Sequence, residues 1–399
     1  MSMEWSVLLT YIVEFLVLYS TIFYILLFLT TRDRLLKDPK PKKFPRVSVL
    51  IPAYNEEKNI GKSISAALAL NYPDFEVIVV DDGSTDDTLK EAKKYAKKGK
   101  VIVLTKKNGG KASALNHGLK KASGELVATL DADSFPEKDS LRHVVGYFND
   151  AKVMAVTSNV KVLNARGGLQ SLQRLEYIGI AFARKILSFL NGIPVTPGPL
   201  SVFRKKVFDE LGGFDEKNIT EDIEIALRIQ NANYQIASSL NSVVYTVVPS
   251  NLSSYFKQRI RWGVGGIRNY LHYWRMLGTR YGDFGLFTMS FGLLSPILAI
   301  LMFFLFFYNL FIAVGALKQM LSYDLGLAVI PLNSTQIIAF FMVPASLLFV
   351  YLNAKYAKES RVFFAGVFYV LIYWLLFSIT YVYVFLVQLL GIKTGWEKR

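Results

Sequence analysis

The 399-residue chain has no cysteine and only three histidines, His117, His143 and His272. It can form no disulfide and no thiolate metal site, and it has no histidine cluster of zinc-ligand spacing. Any metal ion must be held by carboxylates, hard donors that suit Mg2+ or Mn2+. Charge is missing over long stretches as well. Residues 284–317, 325–354 and 362–392 carry no Asp, Glu, Lys or Arg, and residues 5–31 carry only Glu14. Each run exceeds the roughly 20 apolar residues that cross a bilayer, so four transmembrane helices are expected. The first run lacks the basic flank and small-residue cleavage site of a signal peptide and reads as a retained anchor. Glu14 is costly in lipid and should face other helices or a polar path. The turns contain neither a Gly-x-Gly-x-x-Gly fingerprint nor a Walker loop, which argues against a nicotinamide or ATP site.

What is present divides the chain. Hydrophobic residues make up 52% of it and the mean hydropathy is +0.31, too apolar for an ordinary soluble protein. Residues 1–31 hold two acids and no base, and 284–399 hold seven bases against three acids; of the net +15, residues 32–283 therefore carry +13. Such a basic, membrane-tethered surface attracts anionic headgroups or phosphorylated substrates. The basic residues are dispersed and accompany no nucleic-acid module, so nucleic acid is set aside as a partner. The division expected is an anchor (1–31), a basic linker (32–45), a globular domain (46–248), interfacial helices (249–283) and a region of three spans (284–399). The basic flank Arg32 to Lys43 puts the domain on the cytoplasmic side of the plasma membrane. The basic loop 355–361 agrees, whereas Lys393, Lys398 and Arg399 would fall outside, a mild departure from the same rule.

Short apolar runs near 47–51, 76–80, 101–104 and 126–130 alternate with helical stretches near 57–70, 86–97 and 111–121, the pattern of a parallel, doubly wound sheet. Ligands bind such sheets at the strands' C-terminal ends. There stand Pro52-Ala53-Tyr54-Asn55-Glu56, Asp81-Asp82-Gly83-Ser84 and Asp131-Ala132-Asp133. Two aspartates one residue apart can share a divalent cation that neutralises a pyrophosphate, although strand ends also use aspartates as turn formers. Asn55 and Ser84 or Thr85 can equally cap helices. Lys111 either meets a phosphate or is solvated.

Farther along, Leu169, Leu172, Leu175, Ile178, Phe182, Ile186 and Phe189 recur at helical spacing, the mark of an amphipathic helix that lies on the membrane or packs on the core. Thr220 precedes Glu221 and Asp222 as a helix cap would, and a carboxylate fixed there can also serve as a general base. Gln258-Arg259-Ile260-Arg261-Trp262 combines arginines that can grip a diphosphate with an indole that can stack on a sugar; an interfacial helix with snorkelling arginines has the same composition.

In this order and spacing, Asp81-Asp82-Gly83-Ser84, Asp131-Ala132-Asp133, Thr220-Glu221-Asp222 and Gln258-x-x-Arg261-Trp262 ahead of a membrane bundle resemble the processive family 2 glycosyltransferases, among them cellulose, chitin and hyaluronan synthases. The resemblance covers about 45–265 and implies an α/β GT-A fold, a UDP-sugar donor, Mg2+ or Mn2+, and inversion at the anomeric carbon. It implies nucleotide contacts from Pro52, Ala53, Tyr54, Glu56, Asp81, Asp82, Lys111 and Asp131, and a metal held by Asp131 and Asp133. Asp222, with Glu221 and Thr220, would be the catalytic base. Gln258, Arg259, Arg261, Trp262 and Gly198 would bind the diphosphate and the acceptor.

The Gly198-Pro199-Leu200-Ser201 turn is more similar to chitin and hyaluronan synthases than to cellulose synthases, so GlcNAc is expected ahead of Glc. One span before the domain and three after resembles the nodulation-type chitin-oligosaccharide synthases. Two other functions fit parts of the chain. One is single-sugar transfer to a polyprenyl phosphate or other lipid acceptor, which need not have Gln258-x-x-Arg261-Trp262. The other is a transporter with a regulatory nucleotide domain, which predicts ionisable residues in several spans; the last three have none.

Overall fold

A computed structural model describes residues 2–96, 99–322, 334–360 and 362–391. The chain enters as α1 (Ser2–Thr31) and passes to strand β1 (Val47–Ala53). Helices α2 (Ile60–Leu68), α3 (Thr88–Ala96) and α4 (Lys111–Leu119) alternate with β2 (Phe75–Asp81), β3 (Val101–Thr105) and β4 (Leu126–Thr129). Burial on both faces explains the nearly unbroken apolar strands. Val47, Val49 and Ile51 of β1 join Val77 and Val79 of β2 against Ile60, Ile64 and Ala67 of α2. The residues between them, Leu50, Ile78 and Val80, point the other way and pack on Ala112, Ala114 and Leu115 of α4.

The eight strands are ordered β3-β2-β1-β4-β7-β6-β8-β5. The first four are parallel, as the alternation predicts, and their register brings Ala53 level with Asp81 at one edge. Beyond β4 the sheet becomes mixed. β5 (Ser134–Pro136) and α5 (Ser140–Val145) lead to β6 (Val153–Val162), α6 (Gly168–Ser188), β7 (Ser201–Arg204), α7 (Lys206–Leu211), α8 (Glu221–Asn231) and β8 (Gln235–Thr246). β7 is antiparallel to β4, pairing Ser201 with Thr129, so the turn before β7 arrives at the edge where β4 ends. β5 is antiparallel to β8, pairing Ser134 with Thr246, which returns the end of β8 to Asp133. The expectation of a wholly parallel sheet is corrected accordingly.

Helix α6 has no free polar face. It packs on β6 and β8 and also meets α1, α11 (Ser334–Tyr356) and α12 (Phe363–Phe368), and its Gln173, Arg184 and Lys185 are all buried. The helix is thus wedged between the sheet and the apolar bundle, so its apolar stripe packs on the core as one of the two readings expects. α9 (Leu252–His272) leads through short turns to α10 (Ser290–Ser322), and α13 (Trp374–Leu389) follows α12. Three described helices, Val7–Arg34, Phe284–Ile312 and Phe363–Leu389, are long and apolar enough to cross a membrane. The remaining expected span, 325–354, falls partly outside the described residues, as does the C-terminal tail; α11 is the part described.

Candidate active site

The turn that precedes β7 joins both ends of the site. Thr196 donates from its N–H and its hydroxyl to Asp222 O, each at 3.0 Å. Two residues on, Gly198 O accepts from the Thr129 hydroxyl at 3.1 Å, next to the end of β4. A Cβ at position 198 would overlap the Asp131 carboxylate and the Lys111 ammonium, so glycine is required for their approach. Lys111, the first residue of α4, lies 2.6 Å from Asp131 and 3.2 Å from Glu221. Burial opposes its charge, but Asp131, Glu221 and Asp222 outweigh that and raise its pKa. One cation therefore links the β4 carboxylates to the start of α8.

Asp133 lies nearby, with hydrogen bonds from Ser134 Oγ at 3.2 Å and Thr246 Oγ1 at 3.5 Å. Burial pushes its carboxyl up to about 7, Asp131 and Glu56 add to this, and Lys111 and the Ser134 hydroxyl oppose it. Glu56 is raised by burial too, with Asp131 and Asp86 contributing against the hydrogen bond from Asn59. Buried carboxyls pushed up further by acidic neighbours mark a site short of positive charge. Among the described residues no trio of His, Cys, Asp or Glu is close enough to hold a metal unaided. Asp131 and Asp133 are hard oxygen donors two residues apart at one cavity wall, and Mg2+ and Mn2+ are usually bound by one or two carboxylates with substrate phosphates completing the shell.

Asp222 stands on the first turn of α8. Its Oδ1 accepts from Ile223 N at 3.0 Å, while Thr220, expected to cap the helix, gives no side-chain cap. The Thr220 hydroxyl instead lies 3.3 Å from Asn218 Oδ1 and accepts from Asn269 Nδ2 of α9 at 2.9 Å. Arg261 Nη1 donates to Ile219 O at 3.1 Å, and Gly265 allows α9 to press on Thr220. Helix α9 thus holds the loop that leads into α8 and Asp222. Burial pushes the Asp222 carboxyl up to about 6; Glu221 and Asp131 reinforce the shift, and Lys111 and Arg261 oppose it.

A cavity of about 650 Å3 collects these groups. Its walls include Pro52, Ala53, Tyr54, Glu56 and Asp82 from the ends of β1 and β2, and Lys111, Asp131 and Asp133 beside them. Gly198, Thr220, Glu221, Asp222, Gln258, Arg261 and Trp262 complete the expected set. Two anticipated residues are not among its walls. Asp81 is buried, accepting from Thr105 Oγ1 at 3.1 Å and Ser84 N at 3.4 Å. Arg259 is ion-paired with Glu176, donates to Gln258 Oε1 at 2.6 Å and lies over the Trp262 ring, so its guanidinium is committed within the protein. Asp82 lines the cavity, yet its carboxylate is occupied by Gly109 N, Gly110 N and Lys106 Nζ, at 3.1, 2.7 and 2.9 Å. It shapes the loop ahead of α4. The Asn55 and Ser84 side chains tie the β1 and β2 loops together instead of capping helices: Asn55 N donates to Ser84 Oγ and Thr85 N to Asn55 Oδ1. Sequence patterns did not mark Lys106, Tyr177, Arg184 or Asn269; each sits inside a loop or helix with no motif of its own.

Residues 48–212 match the family profile described as "Glycosyl transferase family 2". The chain carries a glycosyl transferase family 2 domain. Over 238 residues it is 32% identical to a poly-beta-1,6-N-acetyl-D-glucosamine synthase of Staphylococcus epidermidis, a match covering 59% of this chain and 58% of that one. With the synthase of the same description from Staphylococcus aureus strain COL it shares 33% over 223 residues, 55% of this chain and 54% of the relative. The chain thus spans little more than half the length of these curated relatives. Among solved structures it is similar to the mannosyltransferase PcManGT of Pyrobaculum calidifontis, in complex with GDP-Man and Mn2+, with a TM-score of 0.58 and 23% identity over 89% of this chain and 96% of that one. The likeness shows the fold: the family 2 domain is of the GT-A type, with its mixed sheet.

Proposed function

We propose that this protein is a membrane-embedded, inverting glycosyltransferase that polymerises N-acetylglucosamine from UDP-GlcNAc into a β-linked polysaccharide. The observation that carries the proposal is one cavity, lined by Asp131 and Asp133, by Asp222, and by Gln258, Arg261 and Trp262. The synthase descriptions of the staphylococcal relatives support the donor and the polymer. In this mechanism Tyr54, Glu56 and Lys111 bind the nucleotide, while Gln258 and Arg261 hold its diphosphate. Trp262 offers an indole face to the acceptor sugar. A hydroxyl of the growing saccharide attacks the anomeric carbon, the bond from that carbon to the diphosphate oxygen breaks with inversion, and the proton passes to Asp222. Mg2+ or Mn2+, held by Asp131 and Asp133 with the donor's phosphates, would neutralise the departing UDP.

The domain lies on the cytoplasmic face in this proposal, with four spans and membrane lipids around them. Contacts of residues 357–360 with the domain support the orientation. Lys161 Nζ donates to Ala357 O at 2.7 Å and pairs with Glu359 at 3.3 Å, and Arg174 pairs with Glu359. The proposed division stays at 1–31, 32–45, 46–248, 249–283 and 284–399. UDP release from purified protein in nanodiscs, measured with Mn2+ across a panel of nucleotide sugars, tests the donor. Release from UDP-GlcNAc that Asp222→Asn lowers by at least about 100-fold is expected; release only from GDP-sugars would overturn the proposal.

A further inference from the structure

Arg184 is 6% exposed, lines the catalytic cavity and is joined to no carboxylate among the described residues. Its one hydrogen bond there runs from Nη1 to Ser158 O at 3.3 Å, and its Nε meets no acceptor. The other cations of the site differ. Lys111 is paired with Asp131 and Glu221, and Arg259, also buried, with Glu176. A guanidinium taken out of water with one of its donors satisfied is costly, and native structures rarely keep such a group without a use for it. Burial lowers the Arg184 pKa to about 10, against the pull of Asp222 and then Tyr177.

The support beneath Arg184 is rigid. The Ser158 side chain donates to Leu200 O at 2.7 Å and lies 2.8 Å from the Ser242 hydroxyl, which ties the carbonyl that holds Nη1 to β8 and to the turn before β7. Along α6, Tyr177, Ala181 and Arg184 fall four and three residues apart, on one face of the helix, and all three line the cavity. The sheet order indicates which part of the cavity Arg184 serves: Ser158 holds it over β6, and β7 and β4 separate it from β1, whose end carries Tyr54 and Glu56. The carboxylate that acts on Arg184 is Asp222, whereas Lys111 acts on both Asp133 and Asp222. Arg184 therefore stands on the side of the cavity away from the nucleotide residues, where Asp222 pulls on its charge.

We infer that Arg184 is an acceptor-binding residue: its free N–H groups hold a hydroxyl or acetamido oxygen of the acceptor saccharide next to the hydroxyl that Asp222 deprotonates. The inference rests on the glycosyltransferase reading above and adds a specificity element to it. A charged donor with a prepared vacancy favours acceptors that fill it, because an acceptor lacking the oxygen leaves the guanidinium unpaired.

The experiment uses the full chain in nanodiscs with Mn2+, UDP-GlcNAc and a soluble β-linked GlcNAc trisaccharide as acceptor. It compares the wild type with Arg184→Gln and Arg184→Lys, reading KM for the trisaccharide and the inhibition constant of UDP. Arg184→Gln should raise the acceptor KM about 10- to 100-fold, the loss of a charge-assisted hydrogen bond, while UDP inhibition changes less than about twofold. Arg184→Lys should recover part of the loss, and it is the variant to read if Arg184→Gln no longer binds UDP. An unchanged acceptor KM in a variant that binds UDP normally would overturn the inference, as would UDP inhibition weakened by the same factor. Impaired transfer to a polyprenyl phosphate with an unchanged saccharide KM would reassign Arg184 to a phosphate and overturn it too. A wild type that uses no saccharide acceptor would defeat the polymerase reading itself, and this inference with it.

Discussion

The guanidinium of Arg259 lies 4.2 Å from the centre of the Trp262 ring, and its charge is paired with Glu176 of α6. The indole at the cavity wall is therefore backed by a buried ion pair between two helices that both border the site. A second ring, that of Tyr255, lies 4.8 Å from the same guanidinium. Glu176→Ala would leave Arg259 buried and unpaired, a loss of about 3–5 kcal/mol. A lower thermal melting point and shorter products are expected, with UDP inhibition retained. Full-length products from a destabilised Glu176→Ala protein would separate the ion pair from Trp262 function.

Asp222→Asn should reduce transfer about 10²- to 10⁴-fold, the usual range for a general base, and leave UDP binding intact. The base acts only when ionised. With its carboxyl pushed up to about 6, chiefly by burial, the transfer rate should rise with pH through about 6 and then level off. The pH profile of the variant's residual rate should lack that limb. Loss of UDP binding in Asp222→Asn would remove the base assignment.

Asp133 yields a prediction of opposite sign, for stability. Burial and its acidic neighbours push its carboxyl up to about 7 from the ordinary 3.8. The folded state then holds the proton more tightly than the unfolded chain, so this group's contribution is full below about 4 and is lost as pH rises toward 7. In metal-free buffer Asp133→Asn should melt higher than the wild type at pH 7.5, with the difference shrinking by pH 4.5. Mn2+ should stabilise the wild type and leave the variant unmoved. Equal metal-induced stabilisation of both proteins would rule out Asp133 as a ligand.

Gly198→Ala places a methyl group against Asp131 and Lys111, whose side chains must yield. The fold should survive, because both are side-chain ends at a cavity wall. The Mn2+ concentration for half-maximal activity should rise about 10- to 100-fold, as for other changes that disturb the surroundings of a metal ligand. An unaltered metal requirement would show that Asp131 tolerates the displacement.

Much of this arrangement was legible in the sequence. The parallel half of the sheet could be read because β1, β2 and β4 are apolar runs that end in turn-forming polar residues. The mixed half could not, since β7 joins β4 across more than seventy residues and β8 joins β5 across about one hundred, pairings that local pattern does not encode. Most of the motif residues line one cavity, but which of them are free to meet a ligand was not legible: Asp82 and Arg259 look like ligand-binding groups in the sequence and are largely satisfied within the protein. Arg184 was hidden for another reason. On an amphipathic helix its position reads as solvent-facing, and only the fold turns that face inward toward the cavity.

Product size measures the central claim most directly. Purified protein in nanodiscs, given UDP-GlcNAc and Mn2+, should yield a ladder or long polymer of N-acetylglucosamine, shortened by Trp262→Ala without loss of metal dependence. One sugar transferred to lipid and never extended would contradict the account.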